Sequence, residues 1–360
     1  MRGSLTWFVV LAMFGACGGD DAPGDPDAPI DAPDQPIDAM VPDGPWVEPT
    51  LLSQTGLYAN IVDGTIASDV IEYAPRWHLW SDAAVKRRWI YLPPGAQIDS
   101  TDMDYWSFPV GTKLWKEFTR GGVRIETRLL EKTAPGDDVT SWFMVSFQWN
   151  QDQTDAMAVA GGVVDDGGPN DIPARSACRQ CHGPNRNKAI VLGFQALQLD
   201  FTEPGQGAMN LHRLVNEDLL TVEPAPVAPN QQFFPLPSTA GVDVVTDAVG
   251  YLHANCGGCH NADSDVQNTV PLELRLSTAA DERATWAATD TYRTAVNVAA
   301  TLPNQGTHVV AGMDLANSAI SNRMVSVTGG VRMPPIARET QDTAAVTAIQ
   351  AWINSLPPAN

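Results

Sequence analysis

TKLWKEFTRGGVRIETRLL (112–130) decides how the first half of the chain is read. In TKLWKEF (112–118) and VRIETRLL (123–130) polar and apolar residues alternate, the period of a half-buried strand. Gly121-Gly122 between them can supply the two positive φ angles of a tight hairpin turn. Similar β-prone runs lie on either side: RRWIYL (87–92), YWSFPV (105–110) and SWFMVSFQW (141–149). Turn formers such as Pro93-Pro94-Gly95 and Pro135-Gly136-Asp137-Asp138 separate them. Short β runs with regular breaks predict an all-β domain, sandwich-like or jelly-roll-like, over residues 46–170.

From about residue 171 the β pattern stops. The expectation there is mainly α haem-type domains, a first region over 171–238 and a second over 239–360, which makes the chain multidomain. DVVTDAVGYLHA (243–254) reads as a helix. So does Thr340 to Leu356, where Ala344, Ala345, Val346, Ala348, Ile349, Trp352 and Ile353 fall at helical spacing. Thr340 or Asp342 would cap that helix, and Pro357-Pro358 would end it.

The first 45 residues have a different character. Met1-Arg2, the apolar run Leu5 to Phe14 and the small residues Gly15-Ala16 before Cys17 form a secretory signal over 1–16. A lone cysteine directly after small residues resembles a bacterial lipoprotein signal, cleaved before Cys17 and lipidated there; Phe14 stands where leucine is usual. Residues 18–45 are nearly all Asp, Ala, Pro and Gly, with too little apolar surface to offset their ordering entropy. That stretch reads as an extended tether. Gly18, rather than aspartate, after Cys17 favours the outer membrane by the same resemblance. The expected location is therefore the bacterial cell envelope. A net charge of −20 argues against nucleic acid and against docking on anionic lipid by charge.

The chemistry rests on the cysteines. Beyond Cys17 there are four, in Cys178-Arg-Gln-Cys181-His182 and Cys256-Gly-Gly-Cys259-His260. Both are C-x-x-C-H, the attachment signature of c-type haem. Two thiols at this spacing can add to the two vinyl groups of one haem, and the next residue is then held beneath the iron as its proximal histidine. Zinc sites place their histidine many residues away, and a thioredoxin-like pair would need a βαβ setting. The cofactors expected are two covalently bound haem c groups, with His182 and His260 as iron ligands.

Met333 is the expected sixth ligand of the second iron, because Arg332-Met333-Pro334-Pro335 fixes it in a stiff loop before the last helix. Met324 and Met313 are the alternatives. The order helix, motif, long loop, Met-Pro and terminal helix resembles a small class I cytochrome c domain. For the first iron, Met209 in AMNLHRLV is the candidate, with His212 as a bis-histidine alternative and His78, Met144 and Met157 upstream. His253 and His308 read as non-ligands, His253 near a propionate or in solvent and His308 on the surface. Arg175, Arg179 and Arg332 lie near the motifs and are candidate propionate partners.

RWHLWSDAAVKRRWIYLPP (76–94), FPVGTKLWKEF (108–118) and RIETRLLEK (124–132), taken with CRQCHG, YLHANCGGCH and RMPP, resemble a family of exported bacterial dihaem c-type cytochromes of largely unassigned function. The resemblance covers roughly 50–356. It implies electron transfer between redox proteins, with no settled donor, acceptor or substrate. In the family pattern position 78 is not usually histidine, which counts against His78 as a ligand.

Two functions follow as expectations. The first is an electron carrier with no catalytic residues, held at a membrane by its lipid. The second is a dihaem peroxidase or oxidase with an open first haem. The carrier is preferred, because no acid–base pair stands out near either motif.

Overall fold

The computed structural model describes residues 46–358, except 166–170, 184–187, 203–207, 238–243, 302–305, 310–313 and 336–337. Cys17, the leader, the tether and Met313 lie outside the described residues.

A two-stranded ribbon, β1 (Tyr58–Asn60) with β2 (Thr65–Ile66), precedes one six-stranded antiparallel sheet. The sheet runs in chain order: β3 (Ile71–Tyr73), β4 (Val85–Tyr91), β5 (Lys113–Arg120), β6 (Val123–Lys132), β7 (Trp142–Trp149) and β8 (Ala156–Ala158). Gly121 and Gly122 take φ of 55° and 82° between paired Arg120 and Val123. A side chain is strained at both positions, which is why this turn carries two glycines.

Register sorts the residues onto two faces. Trp89, Trp115, Leu129 and Val145 stand in one cross-strand row. They pack with Leu52, Leu57, Val70 and Phe147 in a core closed by the segment before the sheet. The Trp115 indole donates to the buried Thr55 hydroxyl at 3.0 Å. On the opposite face, Ile90, Leu114, Leu130 and Met144 form a row that packs against Phe194, Leu199, Met209, Leu211 and Leu214.

The helices are short: α1 (Arg175–His182), α2 (Ala196–Leu199), α3 (Leu211–Asn216), α4 (Val244–Asn255), α5 (Asp290–Ala295), α6 (Ala319–Val325) and α7 (Thr343–Ser355). In α7, Asp342 accepts the Ala345 N–H at 3.0 Å as N-cap. Helices α4 and α7 bury Val245, Val249, Leu252, Ile349, Trp352 and Ile353 together.

The expected fold class is corrected on two counts. Among the described residues the strands form one six-stranded meander, and the only other sheet is the two-stranded ribbon, whose Tyr58 and Ile66 pack against the Trp89–Trp115 face, so two full sheets do not make a sandwich. The long strands do bury a face, as alternation predicts, but the ribbon, helices and irregular chain supply the covering layers. The second half is also not a set of mainly α haem domains. Only 24% of the described residues are helical, and the remaining chain between the helices is loop. A chain with 28 prolines and 29 glycines stops its helices early. The sheet and the motif-bearing half lie in one compact unit, Asp38–Asn360.

The segment between β3 and β4 joins these parts. Trp77 packs in the α4–α7 core, and its backbone N–H donates to Gln198 Oε1 at 3.0 Å. Asp82 accepts the backbone N–H groups of Glu339 and Thr340 at 2.8 and 2.7 Å, and the Thr340 hydroxyl at 2.8 Å. It thereby pins the approach to α7.

Candidate functional site

The first motif closes α1, which carries Cys178, Cys181 and His182. His182 Nδ1 lies 2.6 Å from the Ile190 carbonyl oxygen. A carbonyl only accepts, so Nδ1 holds the ring proton and Nε2 keeps its lone pair, the tautomer a metal-ligating imidazole needs. Burial lowers the His182 pKa to about 4, against the pull of the Ile190 hydrogen bond. The ring is therefore neutral at physiological pH.

The second motif follows α4 in a tight turn. Cys259 and His260 both donate their backbone N–H to the Cys256 carbonyl, at 3.0 and 2.8 Å. Asn255, just before it, accepts the Trp80 N–H at 2.7 Å and donates to the His78 carbonyl at 3.0 Å. A side chain at Gly257 would place its Cβ 2.7 Å from the His253 carbonyl oxygen. The second motif thus needs glycine at its first spacer, whereas the first motif carries Arg179 and Gln180 there.

Burial raises the pKa of the Cys178 thiol, takes Cys181 up to about 11 and takes Cys256 up to about 12. After burial, the next cause at Cys181 is the charge of Cys259. Redox-active and metal-binding cysteines need the thiolate, and these sites disfavour it. Cys178, Cys181 and Cys256 form no disulfide. Among the described residues no group of three or more His, Cys, Asp or Glu side chains converges as a metal cage.

Each motif opens onto its own cavity. The second cavity brings Cys256 and His260 together with Met333, Met324, His308 and apolar residues such as Leu252 and Leu272. The Met333 loop is held by the buried Arg338. Its guanidinium donates to the carbonyls of Met324, Met333, Ser326 (2.9 Å) and Thr340 (3.2 Å). The first cavity, the larger of the two, is lined by Cys178, Cys181 and His182, and by Arg128, Leu130, Met144 and Ser146 of the sheet. Arg332, Pro335 and Arg338 line it too. One loop therefore faces both cavities, with Met333 in the second and its neighbours in the first.

The first cavity does not take Met209. That residue is wholly buried in the core under the sheet, where its N–H donates to the Glu72 carbonyl at 2.8 Å. Met144 lines the cavity instead. His212 Nε2 lies 2.8 Å from the Gln231 carbonyl and therefore donates to it, away from the motif. Met157 is exposed on an edge strand, and His78 is exposed too. Arg175 pairs with Glu48 and stacks over Phe143 at 4.7 Å, so it is not directed at the cavity. Arg332 lines the first cavity, and its Nε is buried without a partner.

Two histidines differ from expectation. His253 is buried edge-on against Trp77, and its Nδ1 accepts the Leu276 N–H at 2.9 Å. Burial lowers its pKa to about 3. His308 is only 4% exposed, its Nε2 has no partner, and it lines the second cavity. Sequence reasoning also passed over Arg128, Asp82 and Arg338. Arg128 shares the alternating face of Leu130, a signal present in VRIETRLL. The other two act on loops distant in sequence, and no local pattern marks them.

Among the described residues no helix is long and apolar enough to cross a membrane. No family model, no curated protein and no solved structure matches the chain.

Proposed function

We propose that this chain is an exported c-type cytochrome that holds two covalently attached haems and passes electrons between redox proteins. The observation that carries this reading is the pair of C-x-x-C-H motifs, each opening onto a cavity of its own, with the Met333 loop lining both cavities. Haem iron, when bound, supplies one-electron transfer at a potential set by its axial ligands and surroundings.

The residues present fit such a group. Cys178 and Cys181 would hold one haem, and Cys256 and Cys259 the other. His182 offers Nε2 as a proximal ligand, with its Nδ1–H fixed by Ile190. His260 takes the matching role in the second cavity, opposite a loop that carries Met333. The apolar lining of that cavity excludes water and favours a high potential. The sheet forms one wall of the first cavity, so it is part of a cofactor site as well as a scaffold. Lipidation at Cys17 and the acidic tether would hold the folded part at the outer membrane, within reach of soluble donors and acceptors.

A second reading, a dihaem peroxidase or oxidase with an open first iron, is favoured by one observation. The first cavity is the larger, and Met209 lies outside it. The test is to record oxidised and reduced spectra of the purified protein together with peroxide turnover. The carrier reading predicts two low-spin haems, no turnover, and a sulfur-to-iron band that disappears in Met333→Ala. One high-spin haem with peroxide turnover would replace it with the enzyme.

A further inference from the structure

Three cations stand in a single cross-strand row: Arg88 on β4 opposite Lys116 on β5, and Lys116 opposite Arg128 on β6, with Ser146 on β7 completing it. Adjacent strands lie about 4.8 Å apart, and like charges directly opposite each other destabilise a sheet. The row is on the face that also carries Leu130 and Met144. Arg128 and Ser146 line the first cavity beside Cys178, Cys181 and His182. Lys116 acts electrostatically on both Cys181 and His182, so it faces the same motif.

The charges in the row do not balance. Glu126 holds Arg128 in a two-pronged pair at 2.7 and 2.9 Å. Among the described residues Arg88, only 4% exposed, and Lys116 have no ion pair. The Ser146 hydroxyl is buried with no hydrogen-bond partner. Burial, followed by Arg88, Arg128 and Lys86, drives the Lys116 pKa well below the usual lysine range. Arg128 and Ser146 stand on the cavity wall, and Lys116 and Arg88 lie behind them in the same row without a carboxylate of their own, an arrangement suited to a dianion. Without one, desolvation of these charges is left uncompensated.

We infer that the Arg88–Lys116–Arg128 row, with Ser146, is the binding site for a pair of carboxylates, the two propionates of the haem on the first motif. The inference rests on the cytochrome reading and extends it to the sheet. With Glu126 taken by Arg128, Arg88 and Lys116 are the cations left in the row for two carboxylates. Cations beside a haem disfavour the ferric state, so the row raises the potential of the first haem.

The test is a redox titration of the full-length holoprotein and of its Lys116→Met and Arg88→Met variants, with covalent haem counted in each. The expected result is two haems per chain throughout, a lower midpoint potential for the first haem and an unchanged second. Lys116→Arg, which keeps the charge, should keep the potential. If Lys116→Met fails to accumulate, Lys116→Gln removes the same charge with a polar side chain and must give the same fall. An unchanged first potential in the neutral variants would overturn the inference. So would a saturable shift of the first haem on adding succinate to the unaltered protein, because the row would then be open to a free dicarboxylate. Failure of the cytochrome reading is separately visible, as an unaltered protein with fewer than two haems.

Discussion

Gly250→Ala should lower the stability of the chain by about 3 kcal/mol, the upper part of the range for overpacking a core. Helix propensity alone predicts the opposite sign, a gain of about 1 kcal/mol for glycine to alanine in a helix interior. The packing decides. A Cβ at Gly250 would lie 2.0 Å from the Trp77 indole nitrogen and 2.1 Å from the adjacent ring carbon. The indole has little room to retreat. Its backbone N–H is tied to Gln198, its ring meets His253 edge-on at 5.7 Å, and Arg76 stacks over it at 4.6 Å. Glycine at this point lets the segment between β3 and β4 lie flat on the helix that delivers the second motif. Chemical denaturation checks the value, and Trp77→Leu in the same chain should recover part of the loss. A stabilised Gly250→Ala would show that the two elements do not meet as described.

Arg338→Met should cost about 3 kcal/mol and release the loop that carries Met333, since a buried carbonyl left without its donor costs about 1–3 kcal/mol. Four carbonyls share this guanidinium, and they come from the end of α6, the Met333 loop and the approach to α7. Methionine keeps much of the side-chain volume and removes every donor. The variant should melt earlier and, in the haem-loaded protein, weaken the sulfur-to-iron band without reducing the number of covalent haems. Earlier melting with an intact band would mean that Arg338 supports the fold but does not position Met333.

How much of this was readable in the sequence depended on the range of the interaction. The hairpin at Gly121-Gly122 and the cap at Asp342 are local, and each is written within a few residues. The two motifs are local as well. Their proximity is not, because it depends on Trp77, Asp82 and Asn255 fastening the sheet to chain some 175 to 258 positions away. The sandwich expectation failed for the same reason. Alternation shows that a strand buries a face but not whether a sheet or irregular chain covers it. Met209 was expected at the first iron from its distance along the chain; the fold sends it under the sheet, and register brings Met144 to the cavity. His308 looked exposed because its loop is rich in polar residues and glycine. Its burial comes from chain folding back on itself, its backbone N–H donating to the Val298 carbonyl at 2.9 Å and its carbonyl accepting the Ile320 N–H at 3.0 Å.

The most direct test of the central claim is the mass of the intact, denatured protein after export through a c-type maturation system. The account predicts a chain heavier by two haems that denaturation does not remove. Replacing Cys178 and Cys181 by alanine, or Cys256 and Cys259 by alanine, should each leave one haem. A chain that carries no covalent haem, or a haem count that is indifferent to either motif, would contradict it.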